Sequence, residues 1–265
     1  MTLVVTDVSR HGIVMVGDSA ITIREGDPLE TVGTEGGAAK VQYSPELNLG
    51  ITVWGYGEVG DLRVDQWVCD FLASLDKKEN LETVGERIVR ELNAIRDQEG
   101  LTGNPETWGG FHLASYLNDI PRLWHVHNGH VGKPVREFHL HRDYPDDQGW
   151  PDEEFIASLR KDWSVHLRNG YLPVFSTLFD ILDCYRKRLR KEGILLPRED
   201  LQGRLEFYKM LIGFVADTLK AIEVHPRVNN KLSAVAFTQE GLVVDELLPV
   251  QRQTAEYPAG CMLGF

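Results

Sequence analysis

The hydrophobic period of this 265-residue chain changes repeatedly from one end to the other, and the order of those changes constrains the fold more than any single motif. Short apolar or β-branched runs come first, over residues 3–8, 13–16, 39–43 and 49–54, broken by His11-Gly12, Gly36-Gly37 and Pro45-Glu46. Their length and punctuation predict strands. Two helical patterns follow. Val64, Trp67, Val68, Phe71, Leu72 and Leu75 recur at helical spacing, as do Leu81, Val84, Ile88, Leu92 and Ile95, with charged residues between them. Strand character returns over residues 110–117 and 123–126, joined by Asn118-Asp119-Ile120-Pro121 and ended by Asn128-Gly129, which predicts a hairpin. Residues 141–154 read as a loop. Beyond it lie helical patterns over about 173–191 and 200–223, then a closing hairpin over 232–238 and 242–247.

Strands, two helices, strands, helices and strands is the order expected when two antiparallel sheets stack and helices cover both outer faces. The expected class is therefore α+β, a four-layer α-β-β-α sandwich. A chain that is 42% apolar has enough material for one large core, so residues 1–265 are read as a single domain with a helical elaboration at about 135–200. The start reaches Asp7 too soon for a signal-peptide apolar stretch, and no run approaches the roughly 20 apolar residues of a membrane span, so a cytoplasmic chain with no membrane partner is expected. A formal net charge of -12 argues against a nucleic-acid partner, because phosphate binding needs a basic face. Cys69, Cys184 and Cys261 are far apart and lack Cys-x-x-Cys spacing, so neither a disulfide framework nor a zinc knuckle is expected.

Thr2 stands directly behind Met1, and a small second residue is the usual condition for removal of an initiator methionine. An N-terminal threonine holds nucleophile and base in one residue. Its hydroxyl can attack an acyl carbon, while the freed α-amine, with a pKa of about 7.7–8.0, takes the proton near neutral pH.

Three further segments stand in order behind it. Val14-Met15-Val16-Gly17-Asp18-Ser19-Ala20 resembles the apolar strand ending in Ala-Asp-Ser of proteasome β-subunits, and the spacing from Thr2 to Asp18 matches that family once Met1 is gone. Ala39-Lys40-Val41 resembles the family's lysine at a strand start, and Leu49-Gly50-Ile51-Thr52-Val53-Trp54-Gly55 its strand ending in an oxyanion-hole glycine. The chain thus resembles a divergent bacterial or archaeal member of the proteasome β-subunit-like N-terminal nucleophile hydrolases. That resemblance implies Thr2 as nucleophile, Asp18 and Lys40 as a supporting ion pair, and the Gly55 N–H as oxyanion donor. It implies no cofactor and no metal, a peptide or protein substrate, and a homo-oligomer in a ring or helical assembly. A non-catalytic assembly subunit of the same fold is the alternative. The pattern departs downstream: Gly170-Tyr171 stands where the family has Gly-Ser, and the family's later Asp and Ser-Gly-Gly have no counterpart around residues 225–230.

Two rival signals accompany these. Gly55-Tyr56-Gly57-Glu58-Val59-Gly60 fits the dinucleotide fingerprint Gly-x-Gly-x-x-Gly, which would make the chain a nucleotide binder, but that fingerprint requires a parallel strand after its helix and a second helix pattern follows instead. His125 with His127, and His139 with His141, are His-x-His pairs that place both rings on one strand face, although no carboxylate or cysteine joins them at ligand spacing.

Overall fold

In the computed structural model, which describes residues 2–25, 30–99, 109–130, 133–142, 157, 164–170, 172–192 and 200–250, strand β1 (Leu3–Ser9) is buried along its whole length. Leu3 and Val5 pack with Phe175, Leu205 and Ile212, whereas Val8 packs in a different cluster with Ile13, Ala114 and Leu123. A strand covered on both faces needs no polar side, so Leu3, Val4, Val5 and Val8 are buried on both, and its polar residues Thr6, Asp7 and Ser9 are buried with hydrogen-bond partners.

β1 belongs to a five-stranded sheet in the order β12 (Val165–Gly170), β1, β2 (Gly12–Asp18), β13 (Leu232–Thr238) and β14 (Gly241–Glu246). A second five-stranded sheet runs β11 (Lys133–His141), β10 (Ile120–His130), β9 (Gly110–Leu117), β6 (Leu49–Trp54) and β5 (Val41–Ser44). Two small hairpins complete the described strands: β3 (Ile21–Glu25) with β4 (Glu30–Glu35), and β7 (Glu58–Val59) with β8 (Leu62–Arg63). The turn between β9 and β10 is Asn118-Asp119, the first half of the foreseen Asn118-Asp119-Ile120-Pro121, whose last two residues open β10 instead. Both residues take positive φ, at 51° and 65°, as a two-residue turn that follows the strand twist requires.

The described helices are α1 (Val64–Ala73), α2 (Leu81–Glu99), α3 (Leu172–Lys191) and α4 (Leu201–Ile222). α2 begins where the Asn80 side chain accepts from the backbone N–H groups of Glu82 and Thr83, and α4 where Asp200 accepts from Gly203. One apolar cluster joins α3 and α4 to Leu3, Val5, Val14 and Val16 of the first sheet. Another joins α1 and α2 to Leu49, Ile51, Phe111 and Leu113 of the second, and a third, with Met15, Val41, Leu123 and Phe237, draws on both sheets. The result is a mixed α/β fold built on antiparallel sheets.

Every described strand pair is antiparallel, which corrects the nucleotide-binding alternative: Gly55 to Gly60 contain β7 and begin the turn of the β7–β8 hairpin, and the parallel β-α-β unit that a dinucleotide site needs is not formed by the described strands. Asn128-Gly129, expected to end a strand, instead lies within β10. A register shift between His127 and Gly129 absorbs the irregular residue and the strand continues to His130. Of the segment at 135–200, the described residues contain the end of β11, strand β12 and helix α3. Most of the loop expected at 141–154 lies outside the described residues. No helix among the described residues is long and apolar enough to cross a membrane.

Candidate active site

Asp18 closes β2 one residue beyond Gly17, which pairs with Val4, so its carboxylate faces the start of β1. One oxygen, Oδ1, accepts the Leu3 backbone N–H at 2.8 Å and the Lys40 ammonium at 3.1 Å, while Oδ2 accepts the Ala20 N–H at 2.9 Å. Lys40 Nζ also donates to the Ala20 carbonyl. Thr2, Asp18 and Lys40 are 5%, 0% and 3% exposed. Burial pushes the Lys40 pKa below its ordinary value, and the opposing charges of Asp18 and then Asp65 do not restore it.

The segment that delivers Lys40 is held from several sides. The Ser19 carbonyl accepts the Gly37 and Ala38 N–H groups at 3.1 and 3.2 Å, and Asp65 Oδ2 accepts the Ala39 N–H at 3.0 Å. Asp65 is buried in the first turn of α1, where the helix dipole favours a carboxylate, and it also takes two bonds from Arg63 at 3.1 and 2.8 Å. Gln42 ties the Asp65 and Ala39 carbonyls to β5. The Lys40 carbonyl then accepts the Val53 N–H at 3.0 Å, and Gly55 follows two residues later with φ 82°. Backbone adjacency therefore leads from Gly55 to Lys40, and a shared carboxylate from Lys40 to the residue after Thr2.

β12 lies on the other side of β1. Leu3 pairs with Gly170, whose φ is +107° and whose α-carbon comes so close to Thr2 that no side chain fits. Tyr171 lies outside the described residues. At the same end of β2, Asn229 Oδ1 accepts from Ser19 N at 3.2 Å and from Ser19 Oγ at 3.1 Å, so the loop before β13 closes on the residue after Asp18. Sequence reasoning missed Asp65 and Asn229. Asp65 reads as an ordinary first-turn acid, and Asn229 stands 210 residues from its partner with no local pattern to mark it.

Both His-x-His pairs lie on adjacent strands, with His125 opposite His141 and His127 opposite His139. Among the described residues no group of three or more His, Cys, Asp or Glu is placed to hold a metal ion.

No protein-family model and no curated protein matches the chain. Solved structures do. A mutant of Anbu from Hyphomicrobium sp. strain MC1 matches at 12% identity with a TM-score of 0.52, covering 96% of this chain and 89% of that one. Anbu from the same strain matches at 12% identity and TM-score 0.48, over 95% and 89% of the two chains. Anbu from Yersinia bercovieri, described as an ancestral beta-subunit, matches at 13% identity and TM-score 0.47, over 92% and 88%. The chain shares its fold with the first of these. That finding corrects the expectation of a proteasome β-subunit-like family member: at 12% identity, with no family model matched, the likeness is one of fold, and it is to Anbu.

Proposed function

We propose that the chain is a threonine-type amide hydrolase, or a related acyl transferase, in which Thr2 becomes the nucleophile when Met1 is removed. The fold in this reading is a four-layer α-β-β-α sandwich of the N-terminal nucleophile hydrolase type. The observation that carries it is the single buried oxygen, Asp18 Oδ1, that receives both the Leu3 N–H and the Lys40 ammonium. Burying the Lys40 ammonium is costly, since buried ion pairs seldom repay their desolvation, and a role beside Thr2 accounts for its retention. The fold likeness to Anbu is compatible with the reading.

In this mechanism the Thr2 hydroxyl attacks a substrate carbonyl carbon and its proton passes to the freed α-amine. The Lys40 ammonium disfavours a charged amine beside it and so keeps that base neutral. The Gly55 N–H donates to the oxyanion, an interaction worth about 3–4 kcal/mol where such a donor has been removed in other enzymes. Collapse breaks the C–N bond as the α-ammonium gives its proton to the leaving amine. Water, or a second amine in the transferase case, then attacks the Thr2 ester with the α-amine again as base, and the hydroxyl is regenerated. A peptide or protein is the proposed substrate. Assembly with further copies of the chain is proposed as well, supported by the exposed Ile181 and Tyr185 on α3 and Met210 and Phe214 on α4.

Intact-mass measurement tests the proposal. The purified chain is expected to lack Met1 and to gain one inhibitor mass at Thr2 with a β-lactone or epoxyketone. Equal labelling of a Thr2→Ala protein would defeat it.

A further inference from the structure

Trp54 ends β6, and its indole N–H donates to Nε2 of His125, 3.1 Å away and two strands across the sheet. The intervening residue on β9, paired with Trp54, is Gly110. A Cβ there would stand 3.0 Å from the indole nitrogen, 2.8 Å from the His127 Cβ and 2.3 Å from the Val126 carbonyl oxygen. The indole therefore crosses β9 at the one kind of residue that leaves it room.

An indole nitrogen only donates, so His125 Nε2 must present a lone pair and the ring proton must sit on Nδ1. The surroundings hold that neutral form. His125 is buried, and three more imidazoles face it: His112 on β9 at 5.3 Å between ring centroids, His127 on its own strand at 4.2 Å, and His141 directly opposite on β11. Burial first, then the three neighbours in that order, depress its pKa well below the ordinary histidine range. His112 is fixed from the other sheet: its Nε2 lies 2.8 Å from Asn169 Oδ1 on β12 and its Nδ1 3.0 Å from Thr6 Oγ1 on β1. On the far side of Gly55, Tyr56 is stacked on Phe111 and tilted against Phe138, with centroids at 6.5 and 5.8 Å. Gly55 thus lies between two anchored aromatic side chains.

We propose that His125 is a positioning residue for the Gly55 turn: by accepting the Trp54 indole N–H it fixes the end of β6 and with it the direction of the next amide. The catalytic meaning of that direction rests on the reading of Gly55 as oxyanion donor. The anchoring itself does not.

The test compares the full chain with His125→Phe, which keeps ring volume but cannot accept, and His125→Gln, whose amide oxygen can. Heteronuclear NMR reads the Trp54 indole N–H and the Gly55 amide, and β-lactone labelling at Thr2 is followed in parallel. His125→Phe is expected to move both resonances and to slow labelling by about 10-fold or more, since small misplacement of a catalytic group can cost about 100-fold. His125→Gln keeps both resonances near their native positions and recovers most of the rate. Trp54→Phe assigns the indole signal and, should His125→Phe not fold, supplies the same comparison with His125 intact. A Gly55 amide unmoved in both phenylalanine variants would overturn the proposal. Resonances that move as stated in a chain that labels at no position would defeat the threonine reading and leave the anchoring role of His125 in place.

Discussion

A methyl group added at Gly170 would stand 1.5 Å from the carbonyl oxygen of Thr2. The edge strand β12 is therefore seated against the backbone of the proposed nucleophile with no space between them, at a φ of +107° that side chains rarely adopt. Gly170→Ala is expected to cost about 1–3 kcal/mol from the strained φ alone, and more from the clash. The loss should appear as a lower urea midpoint at unchanged slope, with slower labelling at Thr2. Gly213, inside α4, has no atom within 4 Å of an added Cβ, so Gly213→Ala should raise stability by about 0.5–1 kcal/mol.

Removing one member of the Asp18–Lys40 pair should be worse than removing both. Asp18→Asn leaves the Lys40 cation buried without its carboxylate, at an expected cost of about 3–5 kcal/mol. Lys40→Met should cost less, because the Leu3 and Ala20 N–H groups still hold the Asp18 carboxylate. The double variant is expected to regain much of the Asp18→Asn loss in urea unfolding while none of the three labels at Thr2.

Asp7 lies one position off the inward-facing row of β1, toward α4. It takes two bonds from Arg204, at 2.7 and 2.9 Å, and one from Tyr208 at 2.9 Å. Burial alone would raise its pKa, but the charge and hydrogen bond of Arg204, then His166 and Tyr208, bring it below the usual carboxylate value. Arg204→Met should destabilise by about 3–5 kcal/mol and Tyr208→Phe by about 1–2 kcal/mol. Labelling of the remaining folded protein should be unaffected by either change, which separates this ion pair from the one at Lys40.

Acid should weaken the fold through the buried imidazoles. Burial pushes the His112 pKa down to about 3, opposed by its Asn169 bond and assisted by His127, and His125 is lowered as well. Below the unfolded value of 6.5 the denatured chain binds protons that the folded chain refuses. Stability is then fully present above that pH and falls by about 1.4 kcal/mol per pH unit per histidine as pH drops toward the folded value. Urea midpoints measured from pH 7 to pH 5 should show this slope, and it should be shallower in His112→Gln.

The elements legible in advance were those whose local pattern and burial agree. β6 over Leu49–Trp54, β9 over Gly110–Leu117 and β13 over Leu232–Thr238 match the runs read from the sequence residue for residue, because both faces of each are covered and apolar residues run on. β12 was not legible: Val-His-Leu-Arg-Asn-Gly is a half-buried edge strand whose polar residues meet partners on distant elements, such as Asn169 with His112. β11 was legible only as the His139-x-His141 pair on one strand face, and its outcome is mixed: His141 stacks on His127 at 4.3 Å between ring centroids, while His139 is exposed. At the candidate site, Asp18, Lys40 and Gly55 stood in recognisable segments, and Asp18 and Lys40 share a salt bridge. The supports from Asp65 and Asn229 depend on contacts that no sequence spacing encodes, whereas Gly170 stood where the family has Gly-Ser and only its close approach to Thr2 needed the fold.

The oxygen shared by Leu3 and Lys40 also ties reactivity to maturation. A nascent chain in which β1 has not zipped against β2 lacks the carboxylate that steadies the cation, so on the threonine reading it carries no armed hydroxyl. An acyl-forming residue of this kind would stay inert until β1 and β2 have paired and Lys40 has reached Asp18, without a separate inhibitor.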